Sequence, residues 1–404
     1  MRDDPTRPTR HLFVTVDYPP HLGGMARRHV ELCRRFAPDP VVVSTVDAPG
    51  AAAFDAGEPY EIRRQPFPFA DAKLLPNLLR WARSLSRAVS GGVDVVHSGN
   101  LRPSGYPALW EARRHRVPYI VYVNGADVLL ERRKAAQSAF TRRMSRLMLG
   151  YCSAVVANSE WTARITRELV AELRLPRSVR VEVIDLGTDP AWFRPDRDGG
   201  ALRERWGVGD RPLLLTVARL VGHKGQDVAI RALPLVRARV PEARYVIVGE
   251  GPDEEKLRRL AAECGVSDAV VFAGALSDDE IAEAYATADV YVGLSREAGG
   301  RQAEGFGISF VEAAASGTPS VAGDSGGVRS AVRDGETGVL VDPASPEAAS
   351  TAIVGLLLDD ARREAMGRAG RLAVERYYNW ERVAAETRAL AREVVSAGRG
   401  VRAS

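Results

Sequence analysis

Long apolar runs, cysteine and lysine are all scarce in this chain, and each scarcity excludes something. No run of eighteen apolar residues occurs in its 404 residues, so no membrane-spanning helix is expected. The opening stretch MRDDPTRPTR has no apolar core and is not read as a secretory signal. The three cysteines, Cys33, Cys152 and Cys264, form an odd, scattered set without metal-ligand spacing. That argues against a disulfide framework and a zinc site, and for free thiols in a reducing cytoplasm. Only four of the 56 basic residues are lysines (Lys73, Lys134, Lys224 and Lys256), so a lysine inside a motif calls for scrutiny.

What remains is an ordinary globular composition, 45% hydrophobic and 27% charged, in a chain longer than one hydrophobic core usually serves. Two domains are the default expectation. Residues 1–190 hold 28 Lys+Arg against 20 Asp+Glu, a net +8; the remainder holds 28 against 32, a net −4. A basic front half suits an anionic partner, such as a phosphorylated substrate or an acidic membrane surface, and equally a solvated basic face.

Short runs rich in valine and isoleucine alternate with helical patterns. HLFVTV (11–16), PVVVSTV (40–46), VDVVHS (93–98), PYIVYV (118–123), SAVVANS (153–159) and VRVEVID (179–185) read as buried parallel strands of a first domain. The rhythm restarts with RPLLLTVA (211–218), ARYVIVGE (243–250), AVVFAG (269–274), ADVYVGL (288–294), TPSVAG (318–323) and TGVLVD (337–342). Two β/α domains follow, joined by the proline- and glycine-rich DLGTDPAWFRPDRDGG (185–200). The expected division is 1–192, 193–378, and a terminal helix over 379–404. Function is then sought where loops leave the carboxyl ends of the strands.

Three such loops carry chemistry. After the first strand, Gly23-Gly24 precedes a helix with apolar residues at Met25, His29/Val30, Cys33 and Phe36; backbone N–H groups there can meet an anion, and the pair equally describes a bare turn. In VARLVGHKGQD, Arg219 and Lys224 stand five apart among glycines and suit a diphosphate, although surface cations are common and no P-loop signature is present. In RQAEGFGISFVEAAASGTP, Glu304 and Glu312 flank Gly305-Phe306-Gly307, with a helix expected from about Gly307. Carboxylates accept from paired hydroxyls and the glycine turn offers N–H donors, which fits a ligand combining polyol and phosphate. A glycosidase pair of carboxylates is the competing reading, but two glutamates on one turn and helix line a ligand more naturally than they flank a bond.

Taken together these residues resemble the retaining glycosyltransferases of family 4, whose GT-B fold sets two Rossmann-like domains face to face across a cleft. The family's E-x7-E motif is matched by Glu304 and Glu312, its Arg-to-Lys clamp by ARLVGHKG, and its glycine pair by YPPHLGG. VIVGEGP (246–252), FAGALSDDEI (272–281), ASGTPSVAGDSGG (315–327) and DGETGVLVDP (334–343) match as well. The resemblance implies that Arg219 and Lys224 neutralise a donor diphosphate, with Gly23 and Gly24 beside the donor. It gives Glu312 the ribose hydroxyls, Glu304 the donor sugar near C3, and the backbone of Gly305, Phe306, Gly307 and Ile308 the sugar and phosphate oxygens. The base is expected near Gly274 to Leu276. The helix led by Trp380 is expected to cross back to the first domain. No metal and no other cofactor is implied, and attack on the face of the departing diphosphate needs no protein nucleophile.

The chain departs from the family at YVNGADV, where Asn124 stands in place of a histidine and leaves Asp127 as the nearby polar candidate for catalysis. Asparagine can hydrogen-bond a hydroxyl but cannot move a proton at neutral pH. Asp185-Leu186-Gly187 also replaces the family's Pro-Asn-Gly. Resemblance to bacterial phosphatidylinositol mannosyltransferases is carried by AEGFGISFVEA and AGDSGGVRSAV. It implies transfer from GDP-mannose, or a UDP-sugar, to a hydroxyl acceptor such as a lipid or glycoconjugate precursor. The basic stretch LERRKAAQSAFTRRMSRLMLG (130–150) reads either as a helix for an anionic membrane or as packed helix with solvated arginines. The expected location is cytoplasmic, free or peripheral at the inner face of the plasma membrane, with no nucleic acid as partner. A GT-B-like nucleotide-sugar epimerase and a non-catalytic nucleotide-sugar-binding protein are the alternatives.

Overall fold

The computed structural model describes residues 7–20, 23–300 and 302–403, with side chains up to 398. The first six residues of the MRDDPTRPTR stretch, His21 and Leu22 of the YPPHLGG turn, and Arg301 lie outside the described residues. The chain falls into two compact units, Met1–Ile184 with Trp380–Ser404, and Asp185–Asn379.

The first unit is built on a seven-stranded sheet of β1 (His11–Val14), β2 (Val41–Asp47), β3 (Glu61–Pro68), β4 (Val95–Ser98), β5 (Tyr119–Val123), β6 (Ala154–Ala157) and β7 (Val181–Val183). Their spatial order is β3-β2-β1-β4-β5-β6-β7 and every pairing is parallel. β1, β4, β5 and β6 are buried along their whole length because helices cover both faces, and this is why they read as unbroken apolar runs. β3 escaped the sequence reading. Its residues EIRRQPFP interleave arginine, glutamine and proline, which an edge strand pairing only with β2 tolerates.

The second unit carries β8 (Leu213–Val217), β9 (Arg244–Val248), β10 (Val270–Gly274), β11 (Val290–Gly293), β12 (Ser320–Gly323) and β13 (Gly338–Val341), in the order β10-β9-β8-β11-β12-β13 and again all parallel. All six were legible in the sequence. Each sheet thus reverses its winding once, between β1 and β4 in the first unit and between β8 and β11 in the second. Rossmann-like sheets bind ligands outside the carboxyl ends of the strands at such reversals.

The chain passes from one unit to the other at 184/185, ahead of the expected 192/193. Residues of the expected linker pack on the second unit: Asp185 accepts from the Tyr377 hydroxyl at 3.1 Å, and Arg371 Nη1 donates to the carbonyls of Pro190 and Phe193. Gly187 is required there, because a Cβ would lie 2.5 Å from the carbonyl carbon of Asn379. The last helix, Trp380–Ala403, belongs to the first unit. Its Arg388 and Arg392 donate to the buried Asp39 carboxylate at 2.9 and 3.0 Å, and its Glu381 accepts from Arg35 at 2.6 Å.

The stretch 130–150 does not form one basic amphipathic helix. It divides into Ala126–Gln137 and Ala139–Tyr151 at Ser138, whose hydroxyl accepts from the Thr141 N–H. Arg132 is held by Glu168 and Glu172, Arg142 by the Glu172 carbonyl, and Met148 is buried. Among its apolar residues Phe140, Met144, Leu147 and Met148, only Phe140 is strongly exposed.

Candidate functional site

In the second unit, the loops after β8 and β11 meet at the point where the sheet reverses. The loop after β8 makes a short 3-10 turn, Gly222–Lys224, and Gly225 caps the helix Gln226–Arg237 with φ 78°. Only glycine fits at 225, since a Cβ would sit 1.9 Å from the Leu294 carbonyl oxygen. That close approach brings Lys224 to the β11 loop, where its Nζ lies 2.5 Å from Glu304 Oε2. Ser295 donates to the same oxygen at 3.4 Å. Burial pushes the Glu304 pKa up, but the charge and hydrogen bond of Lys224 outweigh it, and the net position is below the ordinary carboxylate value.

Glu304 precedes the helix Ile308–Ala315, which starts from Gly307 with φ 92°; a Cβ there would strike the Phe310 ring at 2.5 Å. The Glu304 carbonyl accepts the Gly327 N–H at 2.8 Å, and a Cβ at Gly326 would be 2.4 Å from that carbonyl oxygen. The glycines of AGDSGG therefore fix the backbone at Glu304, a role the sequence reading did not assign. Glu312 lies on the helix and accepts from the buried Tyr285 hydroxyl at 3.1 Å. The two glutamates consequently differ in kind. One faces an ammonium, the other a phenol.

Gly305, Phe306 and Gly307 are buried and Ile308 half-buried, so this turn offers backbone rather than the Phe306 ring. Arg219 is exposed and makes no ion pair among the described residues, so the expected pair of cations is split: Lys224 neutralised, Arg219 not. Gly274 and Leu276 stand apart from this cluster, at the end of β10, two strands from β8; the Gly274 carbonyl accepts from the Gly249 N–H at 2.8 Å.

In the first unit, the reversal between β1 and β4 is bridged by Asn100 Nδ2 donating to Asp17 Oδ2 at 2.9 Å. Gly23 and Gly24 open the helix Gly24–Arg34, and a Cβ on either would meet no described atom within 4 Å. Packing does not demand these glycines. Asn124 and Asp127 follow β5. Asp127 Oδ1 accepts the N–H groups of Asn124 and Val128 at 2.9 and 3.0 Å, while its buried Oδ2 has no hydrogen-bond partner among the described residues. Burial raises the Asp127 pKa to about 6 against those backbone donors, and the charge of Asp17 adds to the rise. Arg28, which the sequence reading passed over, donates from Nη1 to Asn124 Oδ1 at 3.3 Å.

Residues 201–373 match the model of the glycosyl transferases group 1, and residues 22–192 that of glycosyltransferase family 4. A GDP-mannose-dependent alpha-(1-6)-phosphatidylinositol monomannoside mannosyltransferase of Mycobacterium tuberculosis is 35% identical over 94% of this chain and 97% of its own length. A D-inositol 3-phosphate glycosyltransferase of Acidothermus cellulolyticus is 35% identical over 72% of this chain and 65% of its own. Among solved structures, Anabaena Alr3699/HepE in complex with UDP and glucose superposes with a TM-score of 0.75 at 19% identity, covering 94% of this chain and 98% of that one.

Proposed function

Since the chain belongs to the family 4 glycosyltransferases, we propose that it transfers mannose from GDP-mannose to a hydroxyl of an inositol-lipid acceptor, with retention and without a metal. The observation that carries the reading is the Lys224–Glu304 pair at the reversal of the second sheet, with exposed Arg219 on the same loop. A diphosphate arriving there draws Lys224 to its oxygens, joined by Arg219. That frees the Glu304 carboxylate to accept from a hydroxyl of the donor sugar. Glu312 holds the ribose, the backbone of Gly305 to Ile308 meets sugar and phosphate oxygens, and the base lies near Gly274 and Leu276.

Catalysis in this reading is electrostatic. Negative charge grows on the leaving diphosphate as the sugar–oxygen bond lengthens, and two cations held on a fixed loop stabilise that change without reorganising. A phosphate oxygen takes the acceptor proton on the same face, so no protein nucleophile is needed. Asn124 and Asp127, after β5, form a polar cluster of their own in the first unit, and there the open turn at Gly23-Gly24 leaves the start of a helix uncovered.

Contact with an anionic membrane belongs to the same proposal, because a lipid acceptor resides there. A supporting surface lies outside the stretch 130–150. Phe69, Leu74, Leu75 and Leu79 are all exposed within eleven residues, with exposed Lys73, Arg80 and Arg83 around them. Most lie at the start of the helix Leu75–Ser90, which follows β3 and so begins at the carboxyl edge of the sheet, the edge that also carries Asn124.

A thermal-shift panel of GDP-, UDP- and ADP-sugars tests the donor. GDP-mannose at about 100 times its Kd stabilises the native state by about 2.7 kcal/mol and raises Tm more than the others do. A larger shift with a UDP-sugar overturns the donor assignment. Release of GDP only when acceptor is present, unaffected by EDTA, separates transfer from epimerisation and from binding without turnover.

A further inference from the structure

Arg28 is fully buried, yet its Nε and Nη2 have no hydrogen-bond partner among the described residues. A buried guanidinium left so poorly satisfied is costly and needs a reason. Tyr122 seats it. The guanidinium lies over the Tyr122 ring, 4.6 Å from the centroid. The Tyr122 hydroxyl is in turn 2.9 Å from His97 Nδ1, and His97 Nε2 is 2.9 Å from His11 Nδ1. This buried polar column ends near Asp39, the carboxylate held by Arg388 and Arg392. Tyr122 is thus anchored from behind, and its ring supports the buried Arg28 guanidinium where it meets Asn124.

Arginine has only donors, so the Asn124 atom facing it must be the carboxamide oxygen. The amide nitrogen then points the other way, with Met25 Sδ 3.0 Å off as a weak acceptor. We propose that Arg28 is a positioning residue: by occupying the oxygen of Asn124, it turns the amide N–H2 of that residue toward substrate. Asn124 then acts as a donor to a substrate oxygen, the hydrogen-bonding role a protonated imidazole would fill but without a proton to give. The inference rests on the transfer reading for its function, although not for its geometry.

The test is a double-mutant cycle of Arg28→Met and Asn124→Ala, with Arg28→Lys as the conservative variant, read by GDP release from GDP-mannose on phosphatidylinositol mannoside vesicles. Arg28→Met alone lowers kcat/KM by roughly 10- to 100-fold, the loss of a hydrogen bond to a charged group. Arg28→Lys recovers most of it, and in the Asn124→Ala background Arg28→Met changes kcat/KM less than about twofold. An equal loss in both backgrounds makes Arg28 merely structural and overturns the proposal. Selective 15N-asparagine labelling supplies a readout independent of turnover. The side-chain amide signal missing in Asn124→Ala shifts in Arg28→Met, and an unmoved signal also overturns the proposal. Should the wild type release no GDP, the transfer reading fails while this signal still decides the geometry.

Discussion

Replacing Lys224 by methionine removes one ammonium and keeps the length of the side chain, so its effects on stability and on turnover can both be worked out. The Glu304 side chain is 15% exposed and that of Lys224 24%. Breaking a fully buried pair costs about 3–5 kcal/mol because the remaining charge is stranded. Residual exposure and the Ser295 hydroxyl reduce that here, to about 2 kcal/mol. For a unit of this size that lowers Tm by about 4–8 °C. The pH dependence supplies the sharper check. In the wild type the Glu304 pKa lies below its unfolded value, so its stabilisation is complete above the unfolded pKa and is lost as pH falls through the folded one. In Lys224→Met burial dominates and the folded pKa rises above the unfolded one. The sign reverses: the variant's deficit is greatest near neutral pH and shrinks as Glu304 protonates in acid. Thermal unfolding between pH 4 and 8 measures this, and GDP release measures turnover, expected to fall by about 10²–10³-fold. A deficit that grows toward acid, or turnover within a fewfold of wild type, refutes the reasoning.

Asp127 needs its carboxylate charged if it accepts from a substrate hydroxyl. With a pKa raised to about 6, kcat/KM should decline as pH drops below about 6, and Asp127→Asn should abolish that limb along with most of the rate. A wild-type profile flat to pH 5 removes Asp127 from the site. Leu75→Glu with Leu79→Glu should cut co-sedimentation with phosphatidylglycerol vesicles at least tenfold while leaving the GDP-mannose thermal shift unchanged, each burial of such a side chain contributing roughly 1.5–3 kcal/mol. Undiminished sedimentation places the lipid-facing surface elsewhere.

The strands buried on both faces were legible in the sequence because that burial demands an unbroken apolar run, as in YIVYV and LLLTV. β3 was not, because an edge strand answers to one neighbour and to water, and its arginines hide the pattern. The stretch 130–150 left two readings open, membrane helix and packed helix, for a related reason. Helical periodicity continues across Ser138, and only the cap formed by its hydroxyl and the carboxylates waiting on the helix Glu160–Leu173 reveal two packed helices in place of one basic face.

The site was legible as a set of residue types and not as a set of partners. Glu304 and Glu312 were visible as a spacing, but nothing local distinguishes them. Their difference arises from residues 80 positions before one and 27 before the other, Lys224 and Tyr285. Such pairings depend on which strands become neighbours. β8 adjoins β11 only because the sheet reverses there, and Gly225 must accept the Leu294 carbonyl at a distance no side chain allows. Arg28 was missed for the same reason: inside a helix reading MARRHVELCRRF it looks like one arginine among four, and only its position over Tyr122 and against Asn124 sets it apart. In both units a charged residue in the loop or first turns after the first strand meets a polar group contributed by a distant strand's loop. Spacing motifs therefore register one half of each interaction, and the sheet order supplies the other.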